Sequence, residues 1–162
     1  MLPSPTHPFQ NKKEASMQMN DMTESFSPWY SDGLQFECKV CGRCCGGGAG
    51  YVWVTQENID SIAAQMGLTS LLFEQVFVWT VHSKKRSLKE YPNGDCVLLS
   101  DQTRRCRIYS ERPIQCQTWP FWSQNLLSSK TWEAVAATCP GCNQGKLFTL
   151  DEIEERRRKT FE

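Results

Sequence analysis

The sequence has little histidine, with His7 and His82 the only two in 162 residues, and it carries no H-E-x-x-H, nucleophile-elbow or Walker-type pattern. Hydrolytic and nucleophilic catalysis on such frames has no support. His7 falls in a proline-rich stretch, and His82 stands beside Lys84, Lys85 and Arg86 as a surface histidine. An excess of one charge is lacking too. Eighteen Lys+Arg against eighteen Asp+Glu leave a formal net charge of zero, so there is no clear case for nucleic acid or an anionic membrane surface. Long apolar runs are absent, and stretches such as Leu71 to Phe73 and Val97 to Leu99 fall far short of the roughly 18–20 residues that span a bilayer. Lys12 and Lys13 are followed by Glu14-Ala15-Ser16-Met17-Gln18-Met19-Asn20, not by the apolar segment of a secretory leader. The expectation is a cytoplasmic protein without a membrane partner.

Cysteine, by contrast, is abundant, with nine in the chain. In a reducing compartment such clusters are metal sites or catalytic groups more often than structural disulfides, and the odd count points the same way. Cys38, Cys41, Cys44 and Cys45 form a C-x2-C-x2-C-C run. Two intervening residues let a tight turn bring two sulfurs to one metal centre while backbone N–H groups remain free to bond the thiolates. Gly42 and Gly46-Gly47-Gly48 give that turn its freedom, but the glycine run matches no phosphate-binding pattern. Adjacent side chains diverge, so Cys44 and Cys45 are expected to face different centres unless one points into the interior. Cys96, Cys106, Cys116 and the pair Cys139-Pro140-Gly141-Cys142 complete the set. Lys39, Arg43, Arg104, Arg105, Arg107 and Arg112 would offset the charge of a polythiolate site.

The remaining chain reads as a small, irregular, cysteine-rich α+β metal-binding domain with a helical hairpin and short antiparallel strands. Most of residues 1–35, with Pro3, Pro5, Pro8 and Pro28, reads as a flexible tail whose Phe26, Trp29 and Tyr30 can dock on the domain. The domain spans 36–148, and a charged helix follows over 149–162. Tyr51 to Val54 is β-prone. Thr55 caps a helix presenting Ile59, Ile62, Ala63 and Met66, which Gly67 stops. Thr69 caps a second helix presenting Leu72, Phe73, Val76 and Phe77. A hairpin around Asn93-Gly94 is expected to enter a strand from Cys96 to Leu99. Ser110 to Gln117 reads as a short helix or turn, and Thr149 to Glu152 as a capping box.

Five motifs in order, Cys38-x2-Cys41-x2-Cys44-Cys45, Cys96-Val97-Leu98-Leu99, Cys106-Arg107-Ile108-Tyr109 with Arg112-Pro113, Cys116-Gln117-Thr118-Trp119-Pro120-Phe121 and Cys139-Pro140-Gly141, resemble the bacterial cysteine-cluster proteins of the YkgJ type, zinc- or iron-chelating domains with a CxxCxxCC signature. The resemblance covers residues 36–147. It implies eight metal-site cysteines, Cys38, Cys41, Cys44, Cys45, Cys96, Cys106, Cys116 and Cys139, with Cys142 an optional ninth. Three thiols at this spacing suit an iron–sulfur cluster, for which Trp119, Phe121 and Trp122 would be a shield. Closed four-thiolate zinc sites are the competitor. The function expected is metal chelation, in electron transfer or metal handling, with a protein partner left open. The alternative is an iron–sulfur-dependent redox or protein-lysine methyl-transferring enzyme, since some relatives are labelled flagellin lysine methylases.

Overall fold

The computed structural model describes residues 27–160 except Ala49, His82 and Ser83; Phe26, His7 and His82 therefore lie outside the described residues. The order is β1 (Leu34–Phe36), a 3-10 turn (Arg43–Cys45), α1 (Gln56–Gln65), α2 (Ser70–Phe77), β2 (Val78–Thr80), β3 (Arg86–Leu88), α3 (Ile114–Gln117), a second 3-10 turn (Ser123–Asn125), α4 (Ser129–Thr138), β4 (Lys146–Phe148) and α5 (Leu150–Lys159). This is an α+β fold with two small antiparallel sheets, β1 against β4 and β2 against β3.

Local chemistry explains the helices. The Thr55 hydroxyl accepts from the Asn58 N–H at 3.2 Å while the Asn58 side chain accepts from the Thr55 N–H at 3.1 Å, so two orphan donors at the start of α1 are satisfied. Ile59, Ile62 and Ala63 are buried on one face, and Gly67 leaves the helix at φ +68°, where other residues are strained. Thr69 caps α2. Its buried face is narrower than the sequence suggests: Phe73 is fully buried, but Leu72 and Val76 are 44% and 48% exposed. The helix has only eight residues and runs directly into β2. Thr149 and Glu152 form the expected capping box of α5. That helix is charged on its outer face but anchored by Ile153.

Two elements depart from the sequence reading. The Asn93-Gly94 turn exists, with the Gly94 N–H donating to the Tyr91 carbonyl at 2.8 Å, but Cys96 to Leu99 is not a strand. The Leu99 N–H bonds back to the Cys96 carbonyl at 2.9 Å, making a turn with Val97, Leu98 and Leu99 all buried. A short continuous apolar run carries no period from which strand and buried turn can be told apart. The irregular hairpin around Asn93-Gly94 is closed by an antiparallel Glu90–Cys96 bridge, a second hairpin joins β2 and β3 with Val78 opposite Leu88, and Tyr51 to Val54 runs along the other side of β3 through a Trp53–Ser87 bridge. Helix α4 is the second departure, since the sequence reading contains no element there. Ser128 and Thr131 cap each other's backbone, and Trp132, Val135 and Ala136 turn inward.

Two apolar clusters hold these pieces. The first joins Ile59, Ile62, Phe73, Val78, Leu88, Leu98 and Ile108; the second joins Tyr30, Leu34, Phe121, Trp132, Phe148 and Ile153. Tyr30 and Leu34 are thus core residues ahead of residue 36, and Tyr30 donates to Glu154 on α5 at 2.6 Å. Replacing Ile153 by Ala should cost about 2–5 kcal/mol in denaturant unfolding. A loss below about 0.5 kcal/mol would mean that α5 is not part of the second cluster.

Candidate metal centre

The Cys38–Cys45 loop leaves β1 and closes in the 3-10 turn, whose N-cap, Gly42, has φ +71°. A β-carbon at Gly42 would stand 2.1 Å from the Arg104 carbonyl oxygen, so only glycine lets the loop lie directly on the backbone leading to Cys106. The Cys96 N–H donates to the Cys45 carbonyl at 2.8 Å, which joins a third segment to the same loop. Gly141 does the same for the fourth. Its added β-carbon would meet the Glu37 carbonyl oxygen at 2.2 Å, and the Glu37 N–H donates to the Gly141 carbonyl at 3.0 Å, so the turn after Cys139 lies against the start of the Cys38 loop.

Cys96 and Cys106 share one local structure. Each sits at an isolated bridge, Glu90 with Cys96 and Leu99 with Cys106. In each, the N–H two residues on, Leu98 or Ile108, points at the sulfur. Leu98 and Ile108 are themselves buried in the first cluster, so an apolar anchor fixes each thiol. Cys116 is held differently, on α3. Cys139 ends α4; the N–H groups of Gly141 and Cys142 point at its sulfur, and the Trp119 indole N–H donates to it at 3.5 Å.

These thiols surround two adjoining cavities of about 30 Å³ each. Cys38, Cys41 and Cys139 line the first, with Tyr109 and Trp119. Cys96 and Cys116 line the second, with Val52, Leu98 and Ile108. Cys44, Cys45, Cys106 and Arg112 line both. Cys142 lines neither and is buried beside Cys139. The Cys44 and Cys45 sulfurs are 3.9 Å apart. Among the described residues no three Cys, His, Asp or Glu side chains already close on a common point as metal ligands; the sulfurs enclose space rather than a finished coordination sphere.

The electrostatics divide the thiols into proton donors and acceptors. Cys45 hydrogen-bonds with Cys44 and Cys106, and its pKa is pushed up, most of all by the bond with Cys106. The same bond brings Cys106 down to about 6, with help from the Ile108 N–H and Arg112. Cys44 is lowered by the bond from Cys45. Cys139 falls to about 5 through hydrogen bonds from Cys142 and Trp119, while Cys142 rises. Burial dominates elsewhere, raising Cys96 to about 11 and Cys116 to about 12. Arg112 faces both cavities; its guanidinium rests 3.8 Å from the Tyr109 ring centre, and its Nε donates to the Tyr109 carbonyl at 2.9 Å. The Tyr109 hydroxyl in turn bonds Cys38, which raises the phenol pKa.

The donor set fits a thiophilic cation. Eight thiols line the two cavities, backbone N–H groups favour the thiolate form at Cys96, Cys106 and Cys139, and one arginine sits against both spaces. A family model, CxxCxxCC, described as "Putative zinc- or iron-chelating domain", matches residues 37–140. The chain belongs to this family. It is also 30% identical over 95 residues to the uncharacterized protein MJ0661 of Methanocaldococcus jannaschii, a match that covers 57% of the chain and 48% of the relative. The chain thus spans about half the length of the relative it matches. No solved structure matches it. Among the described residues no helix is long and apolar enough to cross a membrane.

Within the CxxCxxCC domain, Tyr109 is the contact that the sequence reading leaves without a role. Its signal is the spacing Cys106-x2-Tyr109-x2-Arg112, which puts phenol and guanidinium beside the thiols in one turn. Gly42→Ala should cost about 1–3 kcal/mol from the dihedral alone and more from the collision with Arg104. In thiol-alkylation assays Cys38 and Cys106 should become reactive together; unchanged reactivity would show that the loop does not depend on this approach.

Proposed function

We propose that the domain binds two metal ions through two four-thiolate sets, Cys38, Cys41, Cys44 and Cys139 around the first cavity and Cys45, Cys96, Cys106 and Cys116 around the second. The observation that carries this reading is the pair of adjoining thiol-lined cavities that meet at Cys44 and Cys45. Cys38, Cys41 and Cys139 line only the first and Cys96 and Cys116 only the second, so assigning the shared Cys44 to the first and the shared Cys45 and Cys106 to the second gives each four thiols. Cys139 acts electrostatically on Cys44, Cys45 is hydrogen-bonded to Cys106, and Cys96 is the first of the thiols that act on Cys116.

Four thiols to a cavity make a tetrahedral set for a single ion. The reading is therefore two zinc or two single iron ions, and the iron–sulfur cluster becomes the second reading. That second reading is favoured by the three thiols at C-x2-C-x2-C spacing on one cavity wall. Bound metal supplies charge neutralisation among the thiolates and a crosslink between four chain segments. Arg112 offsets the net negative charge of both sets, and the Leu98, Ile108 and Gly141 N–H groups orient individual sulfurs.

Elemental analysis of anaerobically purified protein should give about two equivalents of zinc or iron per chain. Less than about half an equivalent of any metal would end the chelation reading, while four irons with acid-labile sulfide would replace the two-ion reading by a cluster. Among variants, Cys106→Ser should remove about half of the bound metal and lower the melting temperature, whereas Cys142→Ser should leave metal content unchanged. Equal losses in the two variants would bring Cys142 into the ligand set.

A further inference from the structure

The two proposed centres differ in their access to solvent. Cys44 is the exposed thiol of the nine; the others are partly or fully buried. It is also the residue that touches all three spaces in this region, the two thiol cavities and a third, open groove of about 590 Å³. Cys139 lies on the groove wall as well, so two of the four thiols of the first set reach the groove. Of the second set, none lines it.

The groove has a defined chemical character. One wall is Trp119 and Trp122, packed edge to face with centres 4.9 Å apart. Both indole N–H groups are already engaged, by the Cys139 sulfur and the Gln115 carbonyl, so the rings offer apolar surface. The opposite side is the Gly46 to Gly48 backbone, which carries no side chains to obstruct entry. Arg43 is the charged residue among those lining it, held on the rim by a 3.1 Å hydrogen bond from Nη1 to the Thr138 carbonyl. Only one of its donor groups is used there, which leaves the rest of the guanidinium fork for a carboxylate.

Resting on the two-site reading above, we infer that the groove receives an anionic small-molecule metal chelate and that the first centre exchanges its metal there, with Cys44 as the thiol that joins first on loading and leaves first on release. The second centre is the fixed, structural one. In the exchange each metal–thiolate bond that forms replaces one bond to the carrier, the carrier's freed donor or water takes the thiol proton, and the metal keeps its oxidation state. Arg43 acts as a specificity residue, drawing the carrier's carboxylates to the mouth of the groove, and touches no metal.

The test is a time course of zinc uptake by the metal-free full chain, from zinc nitrilotriacetate and from hydrated zinc ions, followed by the ultraviolet absorbance of zinc–thiolate bonds. Removing a guiding charge changes association rate more than final affinity. Arg43→Gln should therefore slow uptake from the anionic chelate about 3- to 10-fold, with uptake from hydrated zinc undiminished and final stoichiometry unchanged. Arg43→Lys, which keeps the charge, should recover most of the rate. Equal slowing from both sources, or from neither, overturns the groove's role while leaving chelation intact. A chain that binds no zinc at equilibrium overturns both readings together. As an independent measure, iodoacetamide on the zinc-loaded wild type should modify Cys44 before any other thiol, and a different first site of modification refutes the exchange role.

Discussion

Everything in the site depends on backbone-to-backbone contact between segments far apart in the chain. The Cys38–Cys45 loop lies on the Arg104 carbonyl at Gly42, on the Cys96 amide through the Cys45 carbonyl, and on the turn after Cys139 through Glu37. These approaches are too close for side chains, and they bring eight thiols into two small spaces. A protein this short in regular strands, none longer than three residues, has few ladder hydrogen bonds with which to hold such contacts. The apolar clusters set the frame, but each covers only one side of the thiol seam. Cys96 and Cys106 pack on the first cluster, and Cys139 packs in the second. A crosslink between thiols of the two sides would join the halves where neither cluster reaches.

Eight thiolates in two touching cavities would repel one another strongly, and the protein handles the metal-free charge by sharing protons. Cys45 serves Cys44 and Cys106, and Cys142 serves Cys139. Cys142 lines neither cavity, and its hydrogen bond is the largest cause of the lowered Cys139 pKa. The same logic explains why one arginine is placed between the cavities rather than one at each. Arg112, braced on the Tyr109 ring and carbonyl, acts on both thiol sets from a single position. Arg104 is committed elsewhere, paired through both its terminal nitrogens with the Asp95 carboxylate, which is 10% exposed. That ion pair links the turn ahead of Cys96 to the one ahead of Cys106.

Much of this was legible in the residues. Thr55, Thr69 and Thr149 announce three helices because capping chemistry is local, and the five cysteine motifs locate the site because their spacing is specific. What the sequence hid is instructive. The run Cys96 to Leu99 is apolar throughout, so nothing in its pattern separates a strand from a buried turn. Helix α4 presents Trp132, Val135 and Ala136 at helical spacing, but its β-branched and small residues and its position between cysteine motifs mask it. The strands β1 and β4 are three residues each, too short for alternation to register. The ten-residue spacing of Cys96, Cys106 and Cys116 showed no repeat in the residues between them, yet Cys96 and Cys106 adopt the same bridge and turn, anchored by Leu98 and Ile108. The repeat is in backbone geometry and in one apolar position, while Cys116 on α3 stands outside it.

Adjacency of Cys44 and Cys45 then becomes the organising constraint of the whole seam. Their sulfurs stand 3.9 Å apart and both line both cavities, but of the two only Cys44 also reaches the groove. The difference in access comes from what surrounds the turn: the Gly46 to Gly48 backbone leaves Cys44 uncovered on the groove side, while Val52 and Leu88 line the second cavity. A fold with few regular elements thus leaves one thiol of an adjacent pair exposed while its neighbour is partly buried.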